Sequence, residues 1–496
     1  MTGSRSIPDP VEERLYGSLP TTTAAEAAET IGEKDTVLTS GFGSVGYPKA
    51  VPLALAASDR DRSLTLVHSG KVGDEIDVDL VESGSIERRF TYQSSSVARR
   101  ASNDRSLAFS DRHASAIADE VEYGGLVDPD VAVVEAVAVG EGWFVPSTSL
   151  GQTPALVDAA PELIVEVNHA QPLELQAIHD VYRPGRPPNR ESIPIDRAGD
   201  RIGESVVRFD PDSLRAVVET DRPDSTYTFR EPTSVDRTIA ANLRDFLASE
   251  MARSPAFDEA LHLQFGVGSL GNALMTEIQG LDIGDRRLAY FGEVIQDGLF
   301  DMLDAGQLSA ASATSLALTE DGQRRLFADV ERYAEDVVLR PADVSNHAGL
   351  IDRFGVVGVS SAVEVDIYGN VNSTHVGGSR MINGIGGSGD FFRNSLVSVV
   401  ALPSKLSGKD VSRVVPMTFH VDHTEHDVDV FVTEQGVADL RGLSPVERAE
   451  LIVKECAHPE YRPALEEYLA EVKTGHGHIP LDVERAAEWQ PRGALD

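Results

Sequence analysis

Two apolar patterns alternate along the chain. One is the short continuous run bounded by turn residues, as in Thr36-Val37-Leu38-Thr39-Ser40, Ser63-Leu64-Thr65-Leu66-Val67-His68, residues 130–139 and Leu163-Ile164-Val165-Glu166-Val167-Asn168. Val/Ile runs of this kind suit parallel strands covered on both faces. The other pattern is helical: a Thr/Ala/Glu segment before Thr36, then residues 50–55, 233–251 and 445–472. Further strands are expected at 355–359, 362–367, 396–402, 413–417 and 428–433. Strands alternating with helices predict an α/β fold.

Glycine turns punctuate this alternation twice in the same way. Strand 36–40 runs into Gly41-Phe42-Gly43-Ser44-Val45-Gly46 ahead of a helix. Gly266-Val267-Gly268-Ser269-Leu270-Gly271 stands before the apolar Ala273-Leu274-Met275. The shared Gly-Φ-Gly-Ser-Φ-Gly pattern, in matching context, suggests two related α/β domains with mainly parallel sheets. A Pro-, Arg- and Asp-rich stretch at 183–203 reads as a long surface loop of the first domain. The expected division is therefore 1–225 and 226–496.

Composition narrows the class. The 496 residues are too many for one core, and no run of about 18 apolar residues occurs. The start of the chain is polar, without an apolar signal region, so a cytoplasmic protein without a membrane span is expected. The formal charge of -36 would repel phosphate, which argues against a nucleic-acid partner. Seven of the 44 basic residues are lysines, and the acidity is spread through loops. That pattern suits a halophilic habitat, where self-repulsion is screened within about 3 Å at molar salt. Cys456, the one cysteine, excludes an internal disulfide and reads as a structural residue near the helix stop at Pro459.

Candidate chemistry concentrates at 264–298. The glycine loop there can offer N–H donors to an oxyanion, and Glu293 closes an apolar run where it can act as nucleophile or base. Other readings stand beside this one. Gly266, Gly268 and Gly271 have dinucleotide-fingerprint spacing, and Glu293 follows Gly271 by 22 residues, where a ribose ligand would fall. A glycine loop can also simply pack a strand against a helix, and a carboxylate after a strand is commonly a solvated cap. A further glycine loop, Asn383-Gly384-Ile385-Gly386-Gly387-Ser388-Gly389-Asp390-Phe391, can lie against a ligand or serve as a linker. The spacing of His420, His423 and His426 suggests a metal cluster, but its strand-like flanks make a polar loop shaping a site the favoured reading; no metal site is assigned.

Several of these stretches together resemble the acetyl-CoA hydrolase/transferase family of class I CoA-transferases (NagB-like architecture), over nearly the whole chain. They are Ser40-Gly41-Phe42, Gly46-Tyr47-Pro48-Lys49-Ala50-Val51-Pro52, Glu293-Val294-Ile295-Gln296-Asp297-Gly298 and Glu364-Val365-Asp366-Ile367-Tyr368-Gly369-Asn370-Val371-Asn372-Ser373-Thr374-His375. The 383–391 loop, His420-Val421-Asp422-His423-Thr424-Glu425-His426-Asp427 and Thr433-Glu434-Gln435-Gly436-Val437-Ala438-Asp439-Leu440-Arg441-Gly442 complete the set.

The resemblance implies that Glu293 attacks an acyl-CoA thioester, giving an acyl-glutamyl anhydride and then a glutamyl-CoA thioester. It implies oxyanion donors around Ser269 and Leu270, within Gly268-Ser269-Leu270-Gly271-Asn272, and at Gly387. It also implies a CoA-facing loop at Asn383 and a second active-site carboxylate, Glu434, lining the acid pocket. Relatives often carry a lysine near position 407; this chain has Ser407 between Lys405 and Lys409, which become the candidate CoA contacts. Many relatives also read Gly-Asn-Val/Ile-Ala-Asn where this chain has Gly268-Ser269-Leu270-Gly271-Asn272. The implied partners are an acyl-CoA and a short-chain carboxylate (acetate, propionate or succinate), in a homodimer. Coenzyme A is then a substrate, and no cofactor is held permanently. An acetyl-CoA hydrolase using the same glutamate, and a non-catalytic CoA or sugar-phosphate sensor, are the alternatives.

Overall fold

The computed structural model describes residues 7–489. Packing divides the chain into two compact units. The first comprises Met1–Thr228 with Tyr290–Asp297 and Ser309–Leu350, and the second comprises Phe229–Ala289, Gly298–Leu308 and Ile351–Asp496. The sequence-based division placed Glu293 in a domain 226–496; by packing, the segment that carries it belongs to the first unit.

In the first unit the apolar runs become strands β1 (Thr36–Thr39), β2 (Leu64–His68), β3 (Ile86–Phe90), β4 (Ala108–Ser110), β5 (Val131–Gly140), β6 (Trp143–Pro146), β7 (Glu162–Asn168), β8 (Val207–Arg208) and β9 (Leu214–Thr220). β4-β3-β2-β1-β5 form a parallel ladder, β7 and then β9 continue it in parallel from β5, and β6 and β8 add antiparallel pairs. All ten residues of β5 are buried, which explains its unbroken apolar sequence. Helices Ala24–Thr30 and Ala50–Ala56 pack on one side of this sheet, with Val37, Leu66, Val133 and Ile164 in the shared core.

Two short parallel ladders of the same unit come from its later segments. Tyr290 and Phe291 pair with Ala311 and Ser312, and Val294 and Ile295 pair with Ser315 and Leu316. The 183–203 stretch lacks regular structure but is not wholly superficial, since Ile193, Ile195 and Ala198 are buried.

In the second unit, Ala260–Phe265, Val357–Ser360, Val397–Ala401 and Val430–Thr433 pair in parallel, and Gly436–Asp439 closes the edge as an antiparallel hairpin. Helix Ser234–Arg253 starts with a capping box between Thr233 and Asp236. The strand expected at 413–417 shrinks to Val414–Val415. Pro416 has no N–H to continue it, and the Arg413 guanidinium bonds the Val363 carbonyl instead (2.8 Å). The helical tail is two helices, Pro445–Cys456 and Arg462–Val472, broken around Pro459. No helix among the described residues is long and apolar enough to cross a membrane.

Candidate active site

Glu293 sits in a bend between its two short parallel ladders. Its backbone is fixed there: the carbonyl accepts the N–H groups of Thr314 (3.0 Å) and Ser315 (3.2 Å), and the N–H of the preceding Gly292 reaches Ser312 O (3.0 Å). The side chain is half-buried, and Asn346 Nδ2 donates to its Oε1 (2.9 Å). Asn346 is itself buried at the end of the short helix Ala342–Ser345, where the Ser345 hydroxyl donates to its Oδ1 (2.8 Å). That bond leaves the amide N–H₂ directed at the carboxylate. Burial raises the Tyr92 hydroxyl pKa, with further contributions from Tyr227, Asp111 and Glu293. The Tyr227 hydroxyl is pushed up to about 12 by burial, and its ring packs beside Phe42 and Val294. A carboxylate with a fixed backbone, an amide donor and neutral phenols nearby can act as a positioned nucleophile.

Loop 41–46 of the first unit is entirely buried. Three of its N–H groups already have partners: Phe42 N donates to Ser149 Oγ (3.1 Å) and Val45 O (3.2 Å), Ser44 N to Lys71 O (2.7 Å) and Gly46 N to Asp224 Oδ1 (3.2 Å). Gly46 has φ +66°, and a Cβ there would lie 2.7 Å from the Ser149 backbone N, so only glycine fits.

Loop 266–271 of the second unit differs. Val267 is 41 % exposed, and a Cβ on Gly268 (φ +143°) would meet nothing within 4 Å. Helix Ser269–Gln279 begins at Gly268 with no side-chain cap, so Ser269, Leu270 and Gly271 occupy its first turn, where N–H groups have no partner within the helix. Such a terminus suits an anion. Asn272 follows, with a buried Oδ1 that has no hydrogen-bond partner among the described residues.

The other expected residues of the second unit fall into two groups. Asn383 Nδ2 bonds the carbonyls of Gly384 (2.8 Å) and Ser373 (3.1 Å), and Gly387 begins the helix Ser388–Asn394, again without a side-chain cap. Ser388 Oγ pairs with His423 Nε2 at 3.1 Å. His420 Nε2 lies in hydrogen-bond contact with Asp422 Oδ1 (3.0 Å) in a loop, with the His375 ring 3.8 Å from the His420 ring. Burial, followed by His420, lowers the His375 pKa, against the pull of Asp422. Among the described residues, no group of three or more His, Cys, Asp or Glu is placed to hold a metal ion.

Glu434 accepts from the Ser404 N–H (2.8 Å), from the Ser404 hydroxyl and from Gln435 Nε2 (3.0 Å), which ties it to the segment bearing the two candidate lysines. Lys405 is ion-paired with Glu460 and with Asp410 (3.3 Å), whereas Lys409 is exposed. Cys456 is buried, its thiol pushed up to about 12 by burial, in keeping with a structural role.

Sequence reasoning did not find Asn346, Tyr92, Tyr227 or Ser315. Asn346 lies 53 positions from Glu293, and a Ser-Asn pair ending a four-residue helix carries no signal of its target.

The N-terminal domain model of acetyl-CoA hydrolase/transferase matches residues 19–219, and the C-terminal domain model matches 322–469. The chain is 41% identical over 476 residues to a succinyl-CoA:acetate CoA-transferase of Clostridium kluyveri, covering 95% of this chain and 88% of that protein. It is 38% identical to an acetyl-CoA hydrolase of Candida glabrata, covering 91% and 89%. The crystal structure of RipA from Yersinia pestis shares the fold, with TM-score 0.69, 22% identity and coverage of 91% and 97%.

Proposed function

The chain belongs to the acetyl-CoA hydrolase/transferase family, and on that premise we propose that it moves CoA between a short-chain acyl-CoA and a carboxylate such as acetate, propionate or succinate. The family spans CoA-transferases and acetyl-CoA hydrolases, so the protein is an enzyme acting on acyl-CoA. The observation that supports Glu293 as nucleophile is its fixed backbone together with the Asn346 amide directed at its carboxylate.

In this mechanism a Glu293 carboxylate oxygen attacks the thioester carbonyl. The C–S bond breaks, CoA leaves as thiolate, and an acyl-glutamyl anhydride remains. The thiolate then attacks the glutamyl carbonyl and displaces the first acid, which leaves a glutamyl-CoA thioester. The acceptor acid reverses both steps. Carrying CoA on the enzyme preserves the thioester free energy against water. Each tetrahedral step develops an oxyanion, for which donors are worth roughly 3–4 kcal/mol each. The amides of Ser269, Leu270 and Gly387 are the proposed donors; the uncapped helix start at Gly268 supports the first two. Gly268, Gly271, Asn272 and Asn383 shape those loops. Glu434 is proposed as the second carboxylate on its motif match, and Lys405 and Lys409 as CoA contacts because they flank Ser407, where relatives often carry a lysine.

Coenzyme A is a substrate in this reading and no cofactor is held permanently. A homodimer in the cytoplasm of a salt-adapted cell completes it, supported by the family resemblance and by the charge of -36. Transferase and hydrolase separate on one assay: CoA release from acetyl-CoA with and without succinate. Acetyl-CoA consumed in step with added succinate, with succinyl-CoA and acetate formed and no matching rise in free CoA, is expected. Release indifferent to every acid offered assigns the hydrolase.

A further inference from the structure

Beneath loop 41–46 lies a set of charges that the reaction above does not use. Lys49, Glu135 and Asp224 have wholly buried side chains. Lys49 Nζ pairs with Glu135 Oε2, with Asp224 Oδ1 (2.8 Å) and with the Tyr47 carbonyl (3.0 Å). Glu135 also accepts from Ser147 Oγ (2.6 Å) and Asn168 Nδ2 (2.9 Å). Asp224 accepts from the Thr148 hydroxyl, Gln171 Nε2 (3.0 Å) and the Gly46 N–H. Burying three ionisable groups is expensive, and a cluster of this kind is more often a device for fixing one conformation than a source of net stability.

Its geometry leads to the nucleophile in an unbroken series of hydrogen bonds. Asp224 holds Gly46 N–H, and Ser40 Oγ donates to Gly46 O (2.8 Å) while accepting the Glu135 N–H (2.9 Å). Ser149 Oγ donates to Val45 O (2.9 Å) and accepts Phe42 N–H. Ser315 Oγ then donates to Phe42 O (2.6 Å), while the N–H of the same Ser315 donates to Glu293 O. Ser315 is fully buried, so no water competes for its hydroxyl.

We propose that the Lys49–Glu135–Asp224 cluster is a positioning device for Glu293, acting through loop 41–46 and Ser315 on the backbone that aims the carboxylate. This rests on Glu293 being the nucleophile. Misplacing a reacting group by about 1 Å can cost about 100-fold in rate without changing substrate affinity.

The test measures kcat, KM for acyl-CoA, the single-turnover rate of adduct formation at Glu293, and near-UV circular dichroism. Asp224→Asn removes one charge at constant size; Ser315→Ala removes only the hydroxyl between loop and nucleophile, so a folded variant is available even if the first does not fold. In folded protein, kcat and the adduct rate should fall together, about 100-fold for Asp224→Asn and about tenfold for Ser315→Ala, with KM within about threefold. Ser315→Ala that keeps its fold and turns over within about twofold of the unaltered protein overturns the proposal, as does a loss confined to KM. Failure of the parent reading looks different: the unaltered protein would then form no adduct at Glu293.

Discussion

Loops 41–46 and 266–271 have the same glycine pattern and opposite fates. In the first, the N–H groups of Phe42, Ser44 and Gly46 end on protein acceptors, and the whole loop is buried. In the second, the chain opens at Gly268 onto a helix start with no side-chain cap and an exposed Val267. The difference lies in what surrounds the glycines. Asp224 and Ser149 close the first loop, and nothing stands within 4 Å of a Cβ at Gly268 in the second. The same glycine pattern is thus closed in by protein in one unit and open to its surroundings at Gly268 in the other.

Substitutions can break this contrast, beginning with the largest effect. Glu293→Gln keeps the shape and the Asn346 contact but removes the proposed nucleophile; turnover should drop by about 10⁴-fold or more, measured as acyl exchange. Gly46→Ala forces a Cβ against the Ser149 backbone at a left-handed φ and should destabilise by about 3 kcal/mol or more, read by urea unfolding. Gly268→Ala meets no neighbour and carries only backbone strain, so about 1–2 kcal/mol is expected with the fold intact. Similar losses at the two glycines would erase the distinction between closed and open loops.

Proton linkage sharpens the same contrast. Burial pushes Glu135 up to about 8, against the pull of Lys49 and with help from Asp224. The folded form then holds its proton more tightly than the unfolded chain, whose value is near 4.5. Stability from this group is complete below the unfolded value and is lost as pH rises through the folded one. Unfolding midpoints should thus decline between pH 5 and 9 (assay range ~5–9), with a shallower decline in Glu135→Gln. The Gly268→Ala difference should stay constant across that range. The smallest effect concerns Cys456: its buried thiol should resist alkylation in native protein and react only on unfolding.

The central strands of each unit were legible because buried parallel strands leave unbroken apolar runs; β5 and β7 are examples, with Val131 to Val139 and Leu163 to Val167 visible as such, whereas the order of strands in the sheets was not. Glu293 and the glycine loops were legible as motifs. What sequence could not supply were partners fixed by tertiary packing. Asn346, Ser315 and Asp224 are ordinary polar residues until the chain brings them to Glu293, Phe42 and Gly46, at separations of 53, 273 and 178 positions. The membership of residues 290–297 in the first unit is equally a packing result, since no composition shift marks it.

The central claim is that CoA becomes covalently attached to Glu293. Mixing the protein with acyl-CoA, reducing with borohydride and mapping peptides by mass spectrometry tests it directly. A reduced side chain at Glu293, absent without acyl-CoA, is the predicted result. An unmodified Glu293 in protein that is actively exchanging acyl groups would contradict it.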